Sequence, residues 1–215
     1  MINLSVVIVS WNTRGLLQEC LRSLYIELQI LNFETEVFVI DNNSKDSSSG
    51  MVVEKFPQAR LIKNSDNKGF GRANNQAIRQ ASGEYLLLLN PDTIVLPNSI
   101  ALLVKFAEQH PQAGIIAPQL LNTDGTIQRS CRAFPSLAGM FYEIIGLSRL
   151  FPGVKKFREY KMLDFDHAST REVDQPEGAC LLIPKKVLDQ VGLFDEKFFM
   201  LFEEVDLCLR IKQAG

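Results

Sequence analysis

Short apolar runs alternate with helical periodicities along the first half of the chain. Leu4 to Val9 is a nearly continuous β-branched run and reads as a first strand. Asn12 or Thr13 then caps a helix whose apolar residues Leu16, Leu17, Cys20, Leu21, Leu24 and Leu28 fall at helical spacing. Glu36 to Ile40 make a second strand that closes on Asp41, and the polar stretch "DNNSKDSSSG" follows it. A short helix runs to Phe56 and is stopped by Pro57, and a third strand lies around Leu61 and Ile62. After "DNKGFGRANN" the pattern predicts a helix through Ala77 and Ile78 to Gly83. Tyr85 to Leu89 is apolar on every position, as a strand buried on both faces would be. It stops at Asn90-Pro91-Asp92, and Pro97 then opens a helix that ends near Pro111.

This strand-helix order predicts right-handed crossovers and an α/β fold with a mainly parallel central sheet and helices on both faces. The second half changes character. Thr123-Asp124-Gly125-Thr126 carries an Asp-Gly pair between "AGIIAPQLL" and "TIQRSCRAF", the sign of a hairpin. A helix from Ser136 to Leu150, an irregular charged stretch to Asp174, a strand at Ala179 to Ile183 and two closing helices complete the reading. The whole, residues 1–215, is expected to be one catalytic domain with a nucleotide-binding half, 1–112, and an acceptor-side half, 113–215.

Composition narrows the function. With 215 residues, 46% of them hydrophobic, the chain can bury a full core, and a net charge of −2 gives no electrostatic footprint for nucleic acid. The four cysteines, Cys20, Cys131, Cys180 and Cys208, have no paired spacing and read as reduced core thiols of a cytosolic protein. "NLSVVIVSWN" is too short and too β-branched for a signal peptide or a membrane span. The last residue, Gly215, is a natural helix C-cap, so the second half reads as truncated at the C-terminus.

Three polar loops follow strands in the first half: Ser10-Trp11-Asn12, Asp41-Asn42-Asn43 and Asn90-Pro91-Asp92. Singly, Asp41 and Asn42 are ordinary turn formers and Asn12 an ordinary N-cap. Together they converge on the C-terminal edge of one parallel sheet, where ligands bind in such folds. Gly69, Gly71 and Asn74 nearly spell the dinucleotide fingerprint, but Asn74 replaces the small third residue and the loop does not follow the first strand. A dinucleotide oxidoreductase is therefore the weaker alternative.

The stretches "VVIVSWN", "VIDNNSKDSS", "NKGFGRANNQAI", "LLLLNPDTIV" and "GACLLIPKKVLDQVGLFDEKFFMLFEEVDLCLR" resemble, in order, the motifs of family 2 glycosyltransferases of the GT-A fold. The rhamnosyltransferase-like branch, which builds bacterial surface polysaccharides, is the most similar. The resemblance implies an inverting transfer from a dTDP- or UDP-sugar, with a rhamnosyl donor in view, to a saccharide or lipid-linked acceptor. It also implies Mg²⁺ or Mn²⁺, held at the family's Asp-x-Asp motif; here Asn90 takes the first position and Asp92 is the principal ligand. Asp41 matches the residue that bonds the pyrimidine base, and Ser10, Trp11, Asn12 and Asn43 would line the nucleotide pocket. For Trp11, stacking on the base and plain core burial both stay open. Asp66 and the loop from Gly69 to Asn74 would pack around nucleotide and sugar.

The resemblance further places the family's Glu-Asp motif on Glu203-Glu204, so the general base falls on Glu204, with Glu203 as its rival. Asp206 reads instead as a partner of Arg210, four residues on. Cys180 reads as a small buried thiol, because an inverting transfer needs no covalent intermediate. Full-length relatives continue past this end, where a His can complete the metal site. "SLAGMFYEIIGLSRLF", followed by Lys155, Lys156, Arg158 and Lys161, is compatible with a helix lying at the inner face of a membrane and equally with a helix covering the core.

Overall fold

The computed structural model describes residues 2–137, 141, 145, 154 and 160–215. Two compact units are formed, one from residues 1–118 and 178–215 and the other from 119–177. In the first, β1 (Leu4–Ser10), α1 (Arg14–Leu28), β2 (Thr35–Asp41), α2 (Ser48–Lys55), β3 (Arg60–Lys63), α3 (Phe70–Ile78), β4 (Tyr85–Leu89) and α4 (Ser99–Gln109) alternate as the pattern predicts. The second unit holds β5 (Leu120–Leu121), β6 (Ile127–Gln128), β7 (Cys131–Arg132) and β8 (Gln175–Pro176). The chain then returns to the first unit with β9 (Cys180–Pro184), α5 (Lys185–Val191) and α6 (Glu203–Gln213). The first unit thus draws on both ends of the sequence.

The central sheet has the order β3-β2-β1-β4-β9. Its first four strands are parallel, and β9 joins β4 antiparallel, with Leu89 opposite Cys180 and Tyr85 opposite Pro184. The outer side of β9 is bridged at one point, where Ile116 and Leu182 exchange backbone hydrogen bonds of 2.9 and 2.8 Å. Val7, Phe38, Ile40, Leu86, Leu88, Leu181 and Ile183 face α3, α5 and α6 in one apolar cluster. Alternation along the strands turns Val6, Ile8, Val39 and Leu87 the other way, and they are as fully buried. The buried residues Leu17, Leu21 and Leu24 of α1 and Ile100 and Val104 of α4 supply the apolar surface outside that cluster.

Several boundaries differ from the sequence reading for local reasons. The helix expected to reach Gly83 ends at Ile78, because the chain must turn back into β4: Gly83 N–H donates to Ser5 Oγ at 2.9 Å, and a Cβ at Gly83 would lie 2.6 Å from Ser5 N. α4 starts at Ser99 rather than Pro97, with Asn98 left-handed before it and its N–H taken by the buried Glu27 at 2.8 Å. The Asp-Gly hairpin is present, pairing Leu120 with Gln128 and Leu121 with Ile127. The helix expected from Ser136 to Leu150 and the basic residues Lys155, Lys156 and Arg158 lie largely outside the described residues. No described helix is long and apolar enough to cross a membrane.

The seam between β1, β2 and the entry to β4 is locked by Glu36. Its Oε1 accepts hydrogen bonds from Ser5 Oγ, Ser82 N–H and Ser82 Oγ at 2.7, 2.8 and 2.9 Å. Arg60 lies 2.7 Å from Oε2 as an ion pair, off the line a hydrogen bond needs. Burial pushes this carboxyl up, but the bonds from Ser82 and Ser5 and the Arg60 charge outweigh it, so the group sits below its ordinary value of 4.5. Replacing Glu36 by Gln is expected to lower stability at neutral pH by about 1–3 kcal/mol. Because the folded value is depressed, that contribution is complete above the ordinary glutamate range and is lost as pH falls through the folded value. Urea midpoints of wild type and Glu36→Gln should therefore converge in acid; a constant gap from neutral pH to below the glutamate range would contradict the assignment.

Candidate active site

Each of the three polar loops leaves the sheet at its C-terminal edge, and side chains lace the first two together. Ser10 is fully buried and shares a hydrogen bond of 2.8 Å with Thr13 Oγ1. Asn12, left-handed at φ 55, donates its N–H to Ser44 Oγ at 2.9 Å and accepts from Lys45 N–H at 2.7 Å. Asn43, also left-handed, accepts from Lys45 Nζ at 2.9 Å. Neither Asn12 nor Thr13 caps α1 with its side chain. That task falls to Asp46, whose Oδ2 accepts from Arg14 N–H at 2.8 Å while Oδ1 accepts from Ser48 N–H at 3.0 Å. Burial raises the Asp46 carboxyl, but the Ser48 and Arg14 hydrogen bonds outweigh it and hold it low. One carboxylate thereby serves the N-termini of α1 and α2, where negative charge is favoured. The sequence hinted at Asp46 only through the Asp-Ser-Ser turn signal.

Trp11 stands between these anchors and is 51% exposed. Of its two open readings, core burial is excluded. Asp41 is buried and accepts from Ser44 N–H at 3.1 Å and from the Ser49 hydroxyl. It therefore does the work of a turn former as well as facing the loop cluster, with acceptor lone pairs to spare on a carboxylate. Behind it the buried Asn42 donates to Gly69 O at 3.2 Å and accepts from Asn64 Nδ2 at 2.8 Å. Asn64 and Gln76 exchange side-chain hydrogen bonds of 2.9 Å each. This amide chain ties the end of β2 to α3, and no residue spacing announces it.

The glycine loop is close-packed. Gly69 has φ 79, and a Cβ there would collide with the carbonyl of Phe199. Asn74 is 1% exposed and donates to Phe70 O at 3.0 Å within its own helix. Its amide nitrogen thus serves the helix. Asp66 is exposed and paired with Lys68 at 2.5 Å, which with the Ser65 hydroxyl holds its carboxyl below the usual range.

At the end of β4, Asn90 N–H donates to Ala179 O at 2.9 Å and Asn90 O accepts from Thr93 N–H at 3.2 Å. Asp92 is exposed, and none of the described residues forms a hydrogen bond or ion pair with it. One free carboxylate fits a hard cation shared with a diphosphate; among the described residues no group of three or more His, Cys, Asp or Glu forms a cage that would hold a metal without it.

The residue after Ala179 begins β9, and the residue before it, Gly178, lies against Glu204, whose Cγ would be 3.9 Å from a Cβ at that glycine. Glu204 therefore reaches the same sheet edge as Asn90. Glu203 points the other way, packed beside Gly71 and 4% exposed, with Oε2 lacking a hydrogen-bond partner. Burial pushes the Glu203 carboxyl up; a hydrogen bond from its own backbone N–H opposes this, and the neighbouring Glu204 charge adds to it. Asp206 pairs with Arg210 at 2.8 Å, and Arg210 also donates to the carbonyls of Val191 and Leu193, closing the end of α5. All four cysteines are free thiols, and burial pushes Cys20, Cys180 and Cys208 up to about 12. At such a value Cys180 is no nucleophile. His167 is buried, its Nε2 accepting from Cys131 N–H at 3.2 Å within the second unit.

The sequence and the fold have counterparts among known proteins. The model of "Glycosyl transferase family 2" matches residues 5–158. An N-acetylglucosaminyl-diphospho-decaprenol L-rhamnosyltransferase of Mycobacterium tuberculosis is 32% identical over 225 residues, covering 99% of this chain and 71% of the relative. The low-salt glycan biosynthesis hexosyltransferase Agl10 of Haloferax volcanii is 28% identical, covering 99% of this chain and 62% of its own length. Among solved structures, the mannosyltransferase PcManGT from Pyrobaculum calidifontis, in complex with GDP-Man and Mn²⁺, superposes with a TM-score of 0.68 at 18% identity, over 99% of this chain and 52% of that one. S. aureus TarS 1–349 in complex with UDP gives 0.66 at 20% identity, over 98% and 55%. This chain thus spans about half the length of those solved chains. It belongs to glycosyl transferase family 2, and its α/β fold is the GT-A fold.

Proposed function

We propose that the chain is the catalytic part of an inverting glycosyltransferase that moves a sugar from a dTDP- or UDP-sugar to a saccharide or lipid-linked acceptor in cell-surface polysaccharide synthesis. A rhamnosyl donor is the first to test, given the activity that names the mycobacterial relative. The observation that carries the reading is the meeting at one sheet edge of an exposed, unpaired Asp92 and of Glu204, beside loops whose polar groups are held by Asp41 and Asp46.

In this reading the base lies between Trp11 and Asp41, and the diphosphate lies near Asn90 and Asp92. A divalent cation bound there, Mg²⁺ or Mn²⁺, supplies charge neutralisation for the leaving diphosphate. Glu204 accepts the proton of the acceptor hydroxyl as its oxygen bonds to the anomeric carbon and the bond to diphosphate breaks; a positioned base contributes about 10²–10⁴-fold. Glu203, buried and facing α3, supports the start of α6 instead of reaching the acceptor. The sequence of 136–161, apolar first and then basic, has a composition suited to anionic lipid, the setting of a lipid-linked acceptor.

Trp11 is the chain's one tryptophan, so its fluorescence reports directly on this edge. Titration with dTDP or UDP in the presence of Mn²⁺ should quench it, and Asp92→Ala should remove the metal-dependent part while thermal unfolding stays unchanged. Undiminished metal-dependent quenching in that variant would sink the site assignment. Glu204→Gln is expected to bind nucleotide as the wild type does and to lose transfer by at least about 100-fold. Wild-type turnover in that variant would move the base elsewhere, and binding without turnover in the unaltered chain would favour a non-catalytic nucleotide-sugar module.

A further inference from the structure

The loop that leads into α6 is fastened to α3 at several points, and the tightest is Asn75. Asn75 is 1% exposed, and its amide is fully used. Nδ2 donates to Phe194 O at 2.9 Å and to Glu196 Oε1 at 3.1 Å, while Oδ1 accepts from Phe194 N–H at 3.1 Å. The side chain pairs with Phe194 as the backbone of a neighbouring strand would. Glu196 is held from the solvent side by Arg72 at 3.1 Å and Arg79 at 2.7 Å, both on or just after α3. Those hydrogen bonds from Arg79 and Asn75 hold its carboxyl below the usual range.

Further along, Phe70 N–H donates to Phe199 O at 3.1 Å, the same carbonyl that Gly69 packs against. Two residues later the backbone does something unusual. Leu201 and Phe202 have φ of 72 and 71, left-handed conformations rare for bulky residues, and they immediately precede Glu203 and Glu204. Such a pair persists only where its surroundings over-determine it. The surroundings here are α3 and the glycine loop, since the side chains of Phe199, Met200, Leu201 and Phe202 are all exposed and contribute little packing of their own.

We propose that Asn75 is a positioning residue for the reaction: by fixing Phe194 and Glu196 to α3, it holds the left-handed turn that sets where Glu204 stands relative to the donor loop. This rests on the reading of Glu204 as the base. A base acts only within hydrogen-bond reach of its proton, and a displacement of about 1 Å is enough to cost roughly 100-fold. Donor binding is assigned to the loops after β1, β2 and β4, with which the Asn75 side chain makes no hydrogen bond, and should be far less sensitive.

Asn75→Ala removes three hydrogen bonds from a buried site and risks the fold, so Glu196→Ala and Glu196→Gln, at the half-exposed rim, complete the series. In the full chain, hydrogen exchange should rise across residues 194–204 and not in the central strands, in the order Asn75→Ala, Glu196→Ala, Glu196→Gln. With dTDP-rhamnose as donor and a lipid-diphosphate N-acetylglucosamine as acceptor, kcat should fall about 10- to 100-fold for Asn75→Ala and by a smaller factor for Glu196→Ala, with donor KM and Trp11 quenching unchanged. Unaltered exchange at 194–204, or a rise in donor KM matching the loss in kcat, would overturn the proposal. A Glu204→Gln variant that turns over normally would overturn both this proposal and the base assignment, whereas unaltered exchange beside an inactive Glu204→Gln overturns the positioning role alone.

Discussion

The antiparallel pairing of β9 with β4 is what brings two distant stretches of chain to one edge of the sheet. β4 supplies Asn90 and Asp92 at its end; β9 begins at that same end because it runs the opposite way. The hydrogen bond from Asn90 N–H to Ala179 O marks the join. Had residues 180–184 been added parallel, their first residue and Gly178 would lie at the opposite edge, with Glu204 carried away from the three polar loops. The direction of one edge strand therefore decides whether the proposed base, Glu204, and the proposed donor loops can meet.

In the loops after β1 and β2, order comes from carboxylates and amides that bond the backbone and one another. Asp46 satisfies donors at the start of two helices, Asp41 ties down the turn that follows β2, and Asn42, Asn64 and Gln76 carry that turn across to α3. Each buried polar group is used, which is the condition for such a network to rigidify a loop rather than weaken it. Among the described residues of the three polar loops, Asp92 is the carboxylate left exposed and unpaired.

Much of the framework could be read from the sequence because the physics is local there. An all-apolar Tyr85–Leu89, the alternation of strands and helices and the Asp-Gly hairpin each depend on neighbouring residues. The site was legible as a set of loops, and the resemblance to a family supplied the roles. The partners were not legible. Asn74 and Asn75 look alike in "GRANNQ", yet one bonds its own helix and the other a loop 119 residues away, a difference set by one helical step of about 100°. Asp46 capping a helix that begins 32 residues earlier is invisible for the same reason, as is the left-handed backbone at Leu201 and Phe202, where no glycine announces it.

The buried thiols carry a practical consequence. Cys20 lies on α1, Cys180 on β9 and Cys208 on α6, and as thiols that ionise only near 12 they ignore alkylating reagents while the fold is closed. Cys131, half-buried, belongs to the other compact unit. The unaltered chain is thus fitted with chemical clocks for its own opening: the order in which its four sulfurs become labelled under mild denaturant ranks the local stabilities of helix, edge strand and second unit without a single engineered probe.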